Sequence, residues 1–544
     1  MPITDILAKN AELYPDMVCL TEINPEFNEE KGLPWIEFSL VETETDNAYR
    51  REMTWREFDD KANQFAHLLI DYGIKRGDKV GILLMNCIEW LPLYFGALKS
   101  GAIVVPLNFR YSSEEISYAL DLADVSLLVF GYEFTERMQA IKDNLPKVRS
   151  MLFVGVSCPG FAEDYESLAG SRPRYAPNIN ITDDDNAAIY FSSGTTGFPK
   201  AILHWHRTLV TACRVEQNHH SQTHNDIFLC IPPLYHTGAK MHWFGSLLVG
   251  GSAVLLRGAK PKWIIETAAS EKASIVWLLV PWAQDILDAI DSGEINLADY
   301  DLSAWRLMHI GAQPVPPSLI HRWKKRFPHH EYDTNYGLSE SSGPGSVHLG
   351  IENTHKVGAI GKAGYTWKTR IADENGIDVK PGDVGELLLS GVSVMRCYYR
   401  DPDATAATIK NGWLHTGDMA MEDNDGFIFL VDRKKDVIIT GGENIYPVQI
   451  EDFLRAHDKI KDSAVIGLAD QRLGEIAAAI IEIKPDMECS EDEIHQFCKQ
   501  LPRYKRPHKI IFDCIPRNAT GKIEKPKLRV KYCGDDVVRK QIGL

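Results

Sequence analysis

Long hydrophobic runs are missing from this chain. Its purely apolar stretches, such as the eight residues Ile275–Trp282, fall far short of the ~20 that a membrane-spanning helix needs. Cys87–Leu107 is apolar overall but carries Glu89 and Lys99, which suits a buried helix followed by a buried strand. The opening MPITDILAKNAELYPD has no cationic start followed by an apolar run, so no signal peptide is expected, and Lys540–Leu544 shows no lipidation or peroxisomal ending. The ten cysteines are scattered, with no C-x-x-C pair and no metal-binding spacing. A reduced, cytoplasmic setting is therefore expected. Internal repeats and low-complexity linkers are also lacking.

Basic charge is scarce as well. There are 59 Lys+Arg against 75 Asp+Glu, a formal net charge of −16. Such a chain does not bind nucleic acid through its bulk field. The deficit is uneven: residues 1–432 carry −19, residues 433–544 carry +3, and the stretch from Arg503 onward carries +8. With 44% hydrophobic and 25% charged residues the chain is neither disordered nor fibrous, and its 544 residues exceed what one core serves.

Apolar strand-like runs alternate with longer helical patterns through most of the body. Lys79–Leu84, Ala102–Pro106, Ser126–Phe130, Ser252–Leu256 and Ser274–Val280 read as strands, with Cys87–Leu98 and Ser113–Ala123 as helices. This rhythm predicts an α/β fold with largely parallel sheets. The charge changes sign near Asp432-Arg-Lys-Lys-Asp436, which predicts a large domain over 1–432 and a small α+β domain over 433–544. In the latter, Pro447–His457 and Ser490–Leu501 read as helices, and Asp462–Leu468, Ala477–Lys484 and His508–Asp513 as strands.

The strongest chemical signal is Tyr190-Phe-Ser-Ser-Gly-Thr-Thr-Gly-Phe-Pro-Lys200. An apolar strand runs into four hydroxyls (Ser192, Ser193, Thr195, Thr196), two glycines (Gly194, Gly197) and Lys200. Glycines let backbone N–H groups turn toward an anion, hydroxyls donate further bonds, and the lysine adds a point charge. That is the chemistry of a polyphosphate cradle. It is not a Walker loop, in which the lysine directly follows a glycine.

The segment resembles the phosphate-binding signature of the AMP-forming adenylating enzymes, which include acyl-CoA synthetases, peptide-synthetase adenylation domains and beetle luciferases. Five further segments follow in that family's order: Pro233-Leu-Tyr-His-Thr-Gly238, Tyr336-Gly-Leu-Ser-Glu340, Gly412-Trp-Leu-His-Thr-Gly-Asp418, Asp432–Asp436 with Gly441-Gly-Glu-Asn-Ile-Tyr-Pro447, and Asn518-Ala-Thr-Gly-Lys522. The resemblance implies a large N-terminal domain of parallel-rich α/β sheets with a small mobile C-terminal lid carrying the catalytic lysine. It implies ATP/AMP, Mg2+ and coenzyme A as ligands, a small carboxylic acid as substrate, and is compatible with a homodimer. By resemblance, Glu340 and Thr195 hold Mg2+, with Ser339 at a phosphate-contact position where the family usually has threonine. Gly311, Ala312, Gln313, Asn335, Tyr336 and Gly337 surround adenine, and Asp418 and Arg433 hold the ribose. Lys522 acts in adenylation, Lys200 assists at the phosphates, and His236 gates between the acyl pocket and a thiol tunnel. Lys435 marks the hinge and Gly441 with Gly442 line the tunnel. Arg110, Tyr504 and Arg506 resemble contacts to the CoA nucleotide in aryl-CoA ligases, although Leu473 stands where some of those carry tryptophan.

The implied chemistry has two half-reactions. A carboxylate attacks the α-phosphorus of ATP and expels pyrophosphate, then a thiol attacks the acyl-adenylate and expels AMP. Positioning and charge neutralisation suffice for the first step, and no nucleophile triad is needed. Trp243, Phe244 and Trp282 are the candidate walls of the acyl pocket; bulky walls favour an aromatic, alicyclic or short-to-medium-chain acid. Besides a carboxylate–CoA ligase, a stand-alone enzyme charging a carrier protein and a luciferase-like oxygenase remain open. Lys522 and Glu340 together argue against a non-enzymatic nucleotide sensor.

Overall fold

A computed structural model describes residues 1–25, 49–192, 199–311, 315–440, 443–470, 472–485, 487–517 and 523–533. Among these, the expected alternation builds four sheets. In the nine-stranded sheet, Val18–Ile23, Ser252–Leu256, Ile227–Cys230, Ile275–Leu279, Leu307–Gly311 and Glu331–Leu338 run parallel as neighbours. Antiparallel strands close both edges: Arg50–Thr54 on one side, Gly343–His348 and Lys362–Ala363 on the other. An eight-stranded sheet is parallel from Asn186–Phe191 to Glu163–Asp164, and antiparallel where Ala201–Trp205 and Cys397–Tyr398 join. Helices cover these sheets, as parallel strands buried on both faces require.

Local chemistry sets several boundaries. The helix Ser113–Leu122 starts at a reciprocal cap in which the Ser112 side chain accepts from the Glu115 N–H and Glu115 accepts from the Ser112 N–H. Such a cap stabilises a helix start by about 1 kcal/mol. The expected helix from Cys87 begins only at Trp90. The Ile88 N–H is held by the Glu22 carboxylate at 2.9 Å, and Glu89 is held by Arg51 at 2.6 Å, so neither residue joins the helix. The expected helix Ser490–Leu501 is α-helical over Glu491–Phe497 and finishes as a 3-10 turn, Cys498–Gln500.

A third, antiparallel sheet holds Trp413–Glu422 between Val384–Ser390 and Ile428–Arg433. After Arg433 the chain leaves it, and Ile438–Thr440 enters a fourth sheet with Glu443–Ile445, Gly474–Ile483, Ile460–Asp470 and Lys509–Phe512. That sheet has its own apolar core, with Ile438, Ile450, Val465, Ala479, Ile494 and Ile510 buried together. The Asp432 carboxylate ties the two sheets, accepting from the Val448 N–H at the start of helix Pro447–Arg455 at 3.0 Å. No helix among the described residues is long and apolar enough to cross a membrane, and no cysteine forms a disulfide.

Candidate active site

Strand Asn186–Phe191 ends where the hydroxyl-rich segment begins. Its two ends are laced together: the Ser192 N–H donates to the Lys200 carbonyl, and the Lys200 N–H donates to Ser192 Oγ, both at 3.0 Å. Ser193, Gly194, Thr195, Thr196 and Gly197 lie outside the described residues. The Lys200 ammonium sits 4.8 Å above the ring of Tyr398, whose hydroxyl donates to Glu340 Oε1 at 2.8 Å. Burial and the Glu340 charge push the Tyr398 phenol up, so it stays a donor. A cation, a phenol and a carboxylate thus stand in line. Tyr398 was not singled out by its sequence; its local signal is only the Tyr398-Tyr399-Arg400 cluster ahead of the helix cap Asp401.

Glu340 lies on the 3-10 turn Ser339–Ser341, between strands Glu331–Leu338 and Gly343–His348. The turn is pinned by the Met395 N–H, which donates to the Glu340 carbonyl at 2.7 Å, and by the His204 ring, which donates to the Ser339 carbonyl at 2.8 Å. Burial holds His204 down at about 4, so it is neutral at working pH. Gly337 and Ser339 are half-buried on this path.

On strand Glu331–Leu338, the Tyr336 hydroxyl donates to Asp418, which is 4% exposed. Asp418 and Arg433 are direct cross-strand partners, and Arg433 Nε meets Asp418 Oδ1 at 2.5 Å. Opposite charges facing across an antiparallel pair stabilise the register and hold both groups still. Burial and the adjacent Asp418 drive the Tyr336 phenol up, keeping it a donor. Beside it, the Asn335 Nδ2 is buried without a hydrogen-bond partner, next to the end of strand Leu307–Gly311. A Cβ at Gly311 would come within 3.5 Å of Asn335 Oδ1, so glycine leaves that face bare. An orphaned amide beside a bare strand end suits a planar base, and a carboxylate oriented by two donors suits a sugar diol. Ala312 and Gln313 lie outside the described residues.

His236 caps helix Thr237–Val249, its Nδ1 accepting from the Gly238 N–H at 3.2 Å. A side chain at Gly238 would meet the Trp277 ring at 2.7 Å, so Trp277 on strand Ile275–Leu279 closes in where glycine leaves room. The expectation that Trp243 and Phe244 wall the pocket is corrected here. Both are 0% exposed, packed against Phe95 and Tyr94 of helix Trp90–Lys99 and Phe58 of the helix Trp55–Asp71. Lys240, Trp243, Phe244 and Leu247 recur at helical spacing, so they form the stripe that faces the core. Trp282, in the first turn of helix Val280–Asp291, is half-buried and keeps a surface to offer.

Lys240 is the polar member of that stripe. Its Nζ has no hydrogen-bond partner and lies 4.1 Å over the Tyr190 ring. Burial drives its ammonium well down. The unfolded chain then holds a proton that the folded chain excludes, so stability rises with pH through the range below the ordinary 10.5. Lys240→Met should remove that slope and stabilise the fold near neutral pH by about 1–2 kcal/mol, as calorimetry between pH 6 and 9 would show. An unchanged slope would contradict the assignment.

The remaining sequence candidates are less gathered. Lys435 and Tyr504 are exposed. Arg506 donates to the Leu501 and Lys499 carbonyls at 2.8 and 2.7 Å, closing the end of the segment after helix Glu491–Phe497. The Arg110 N–H is fixed by Asn108 Oδ1 at 2.9 Å. Gly441, Gly442 and Lys522 lie outside the described residues.

Residues 38–399 match the model of the AMP-binding enzyme family, and residues 449–522 match the AMP-binding enzyme C-terminal domain. A long-chain-fatty-acid–CoA ligase, FadD13 of Mycobacterium tuberculosis, is 31% identical over 490 residues, covering 88% of this chain and 93% of the relative. A feruloyl-CoA synthase from Amycolatopsis is 30% identical over 486 residues, covering 88% of this chain and 94% of the relative. Among solved structures, the anthranilate CoA ligase AuaEII in complex with anthranoyl-AMP superposes with a TM-score of 0.86 at 26% identity, covering 98% of this chain and 97% of that one.

Proposed function

This chain belongs to the AMP-binding enzyme family and is an AMP-forming acid–thiol ligase, and from that premise we propose how its residues divide the work. The observation that carries the reading is the pairing of two polar constellations that reach strand Glu331–Leu338 and the 3-10 turn that follows it. Asp418, Arg433, Tyr336 and Asn335 form one; Lys200, Tyr398 and Glu340 form the other.

In the proposed assignment, Asp418 accepts the ribose hydroxyls, Tyr336 and Arg433 hold it in place, and the Asn335 amide donates to the base beside Gly311. Ser192 and the cradle after it, with Lys200, orient the phosphates. Glu340 with Thr195 would hold Mg2+, and the hard carboxylate and hydroxyl oxygens fit that ion. When bound, Mg2+ neutralises charge on the phosphate oxygens as pyrophosphate leaves. Tyr398 keeps Glu340 turned toward Lys200. Lys522 meets the charge developing on the α-phosphate during attack by the substrate carboxylate.

The unit boundary is proposed at 432/433, at the end of strand Ile428–Arg433 and just before the chain passes from the third sheet to the fourth. Residues 433–544 then act as the lid that brings Lys522 in for adenylation, turns about Lys435 and presents Gly441 and Gly442 to the thiol. Arg110 and Tyr504 are proposed to meet the CoA nucleotide. His236 gates passage between acid and thiol. Trp282 walls the acyl end, favouring an aromatic, alicyclic or short-to-medium-chain acid over a long chain.

A panel of carboxylic acids scored for CoA-dependent AMP release tests this reading. Turnover with compact or aromatic acids, and acyl-CoA equal to AMP, is expected. Adenylate without any CoA ester would turn the assignment toward carrier-protein charging or oxygenation, and turnover confined to long-chain acids would remove the pocket argument. Tyr336→Phe should raise the KM for ATP about tenfold with a smaller change in kcat, since one charged hydrogen bond orienting Asp418 is lost. Pyrophosphate-exchange kinetics would measure it.

A further inference from the structure

A third polar constellation lies outside that assignment, deeper along strands Leu307–Gly311 and Glu331–Leu338. His220 follows helix His206–His219, His309 lies on strand Leu307–Gly311, and Asp333 lies on strand Glu331–Leu338. All three are 0% exposed. His309 and Asp333 are direct partners in the parallel pair, so the register itself sets an imidazole beside a carboxylate. His220 Nε2 lies 2.9 Å from His309 Nδ1 and 3.2 Å from Asp333 Oδ2, and His309 Nδ1 lies 3.7 Å from Asp333 Oδ2.

We propose that His220 Nε2, His309 Nδ1 and Asp333 Oδ2 bind a structural divalent transition-metal ion, with Zn2+ the best-matched species. A tetrahedral ion 2.0–2.1 Å from its ligands sets them about 3.3 Å apart, and the three observed separations bracket that edge. Two imidazole nitrogens and one carboxylate oxygen suit Zn2+ rather than Mg2+ or Ca2+, which take oxygen.

The groups behind the ligands are those a metal centre uses. Glu216 Oε2 stands 3.4 Å from His220 Nδ1, a carboxylate on the far nitrogen of a ligating imidazole. Asp333 Oδ1 accepts from the Gly350 N–H at 2.9 Å, and His348 Nδ1 lies 3.1 Å from Asp333 Oδ2. Two carboxylates sit fully buried here, Glu216 and Asp333, and a divalent cation balances both. Enclosed in this way, the ion fastens the helix to two strands whose next same-face residues are Gly311 and Asn335.

The test uses the full-length enzyme loaded with Zn2+, desalted, and assayed by elemental analysis. Equimolar zinc is expected, with a thermal midpoint that falls on dipicolinate treatment and returns with Zn2+. The His309→Gln/Asp333→Asn double variant should lose the zinc, whereas Cys489→Ala, in the half-buried His457–Cys489–Glu493 group, should keep it. Should the double variant not fold, Co2+-loaded wild-type enzyme decides. Intense d–d bands of a low-coordinate nitrogen–oxygen site, without a thiolate-to-cobalt band, are expected from these ligands. Substoichiometric zinc after loading, zinc lost only in Cys489→Ala, or a thiolate–cobalt band would each overturn the proposal and leave a proton-held histidine network in its place.

Discussion

Lys522→Ala is expected to slow acyl-adenylate formation by about 100- to 1,000-fold, with thiolysis of supplied acyl-adenylate continuing nearly unchanged. The magnitude is that of removing one preorganised donor from a site where negative charge develops. In the proposed assignment a compact ammonium, in a stretch that carries +8, would meet the α-phosphate only in the step that needs it. The loss therefore falls on kcat rather than on the KM for ATP. Measuring pyrophosphate release with ATP and acid, against CoA-ester formation from synthetic adenylate, separates the two steps. Equal losses in both would contradict a lysine that acts in one half-reaction only.

Asp418→Asn is the second large effect. The amide keeps the shape of the carboxylate but loses its charge and one acceptor oxygen. Arg433 Nε and the Tyr336 hydroxyl would then both point at a group that cannot serve them equally. On the proposed assignment the ribose would lose its acceptor at the same time. A loss of about 2–4 kcal/mol is expected in transition-state binding, roughly 30- to 1,000-fold in kcat/KM for ATP. The cost to folding is smaller, about 1–2 kcal/mol, because Arg433 is 38% exposed and water screens its unpaired charge. Steady-state kinetics with a parallel melting curve separate the two costs. A variant with wild-type kcat/KM for ATP would remove Asp418 from the ribose.

Much of the local architecture was legible in the sequence. Lys79–Leu83, Ile103–Pro106, Ser252–Leu256 and Ile275–Leu279 are strands within a residue or so of their apolar runs, because burial on both faces leaves an unbroken hydrophobic signature. Helix starts were less legible where a distant side chain intervened, as Glu22 does at Ile88. Trp243 and Phe244 misled for a related reason. Their bulk was visible, but the face of the helix they occupy depends on what packs against it.

Spacing and residue type by themselves determined the α/β class and the change of charge near residue 432, while the hydroxyl- and glycine-rich segment and the carboxylates at 340 and 418 were pointed to by motifs that resemble a family. Each is written within a few consecutive residues, where glycine, hydroxyl and charge act through the local backbone. Only the tertiary structure joined residues far apart in the chain: Tyr398 to Glu340, Tyr336 to Asp418, and His220 to His309 and Asp333. Those partnerships follow from strand order and register, which long-range packing decides and local sequence does not encode.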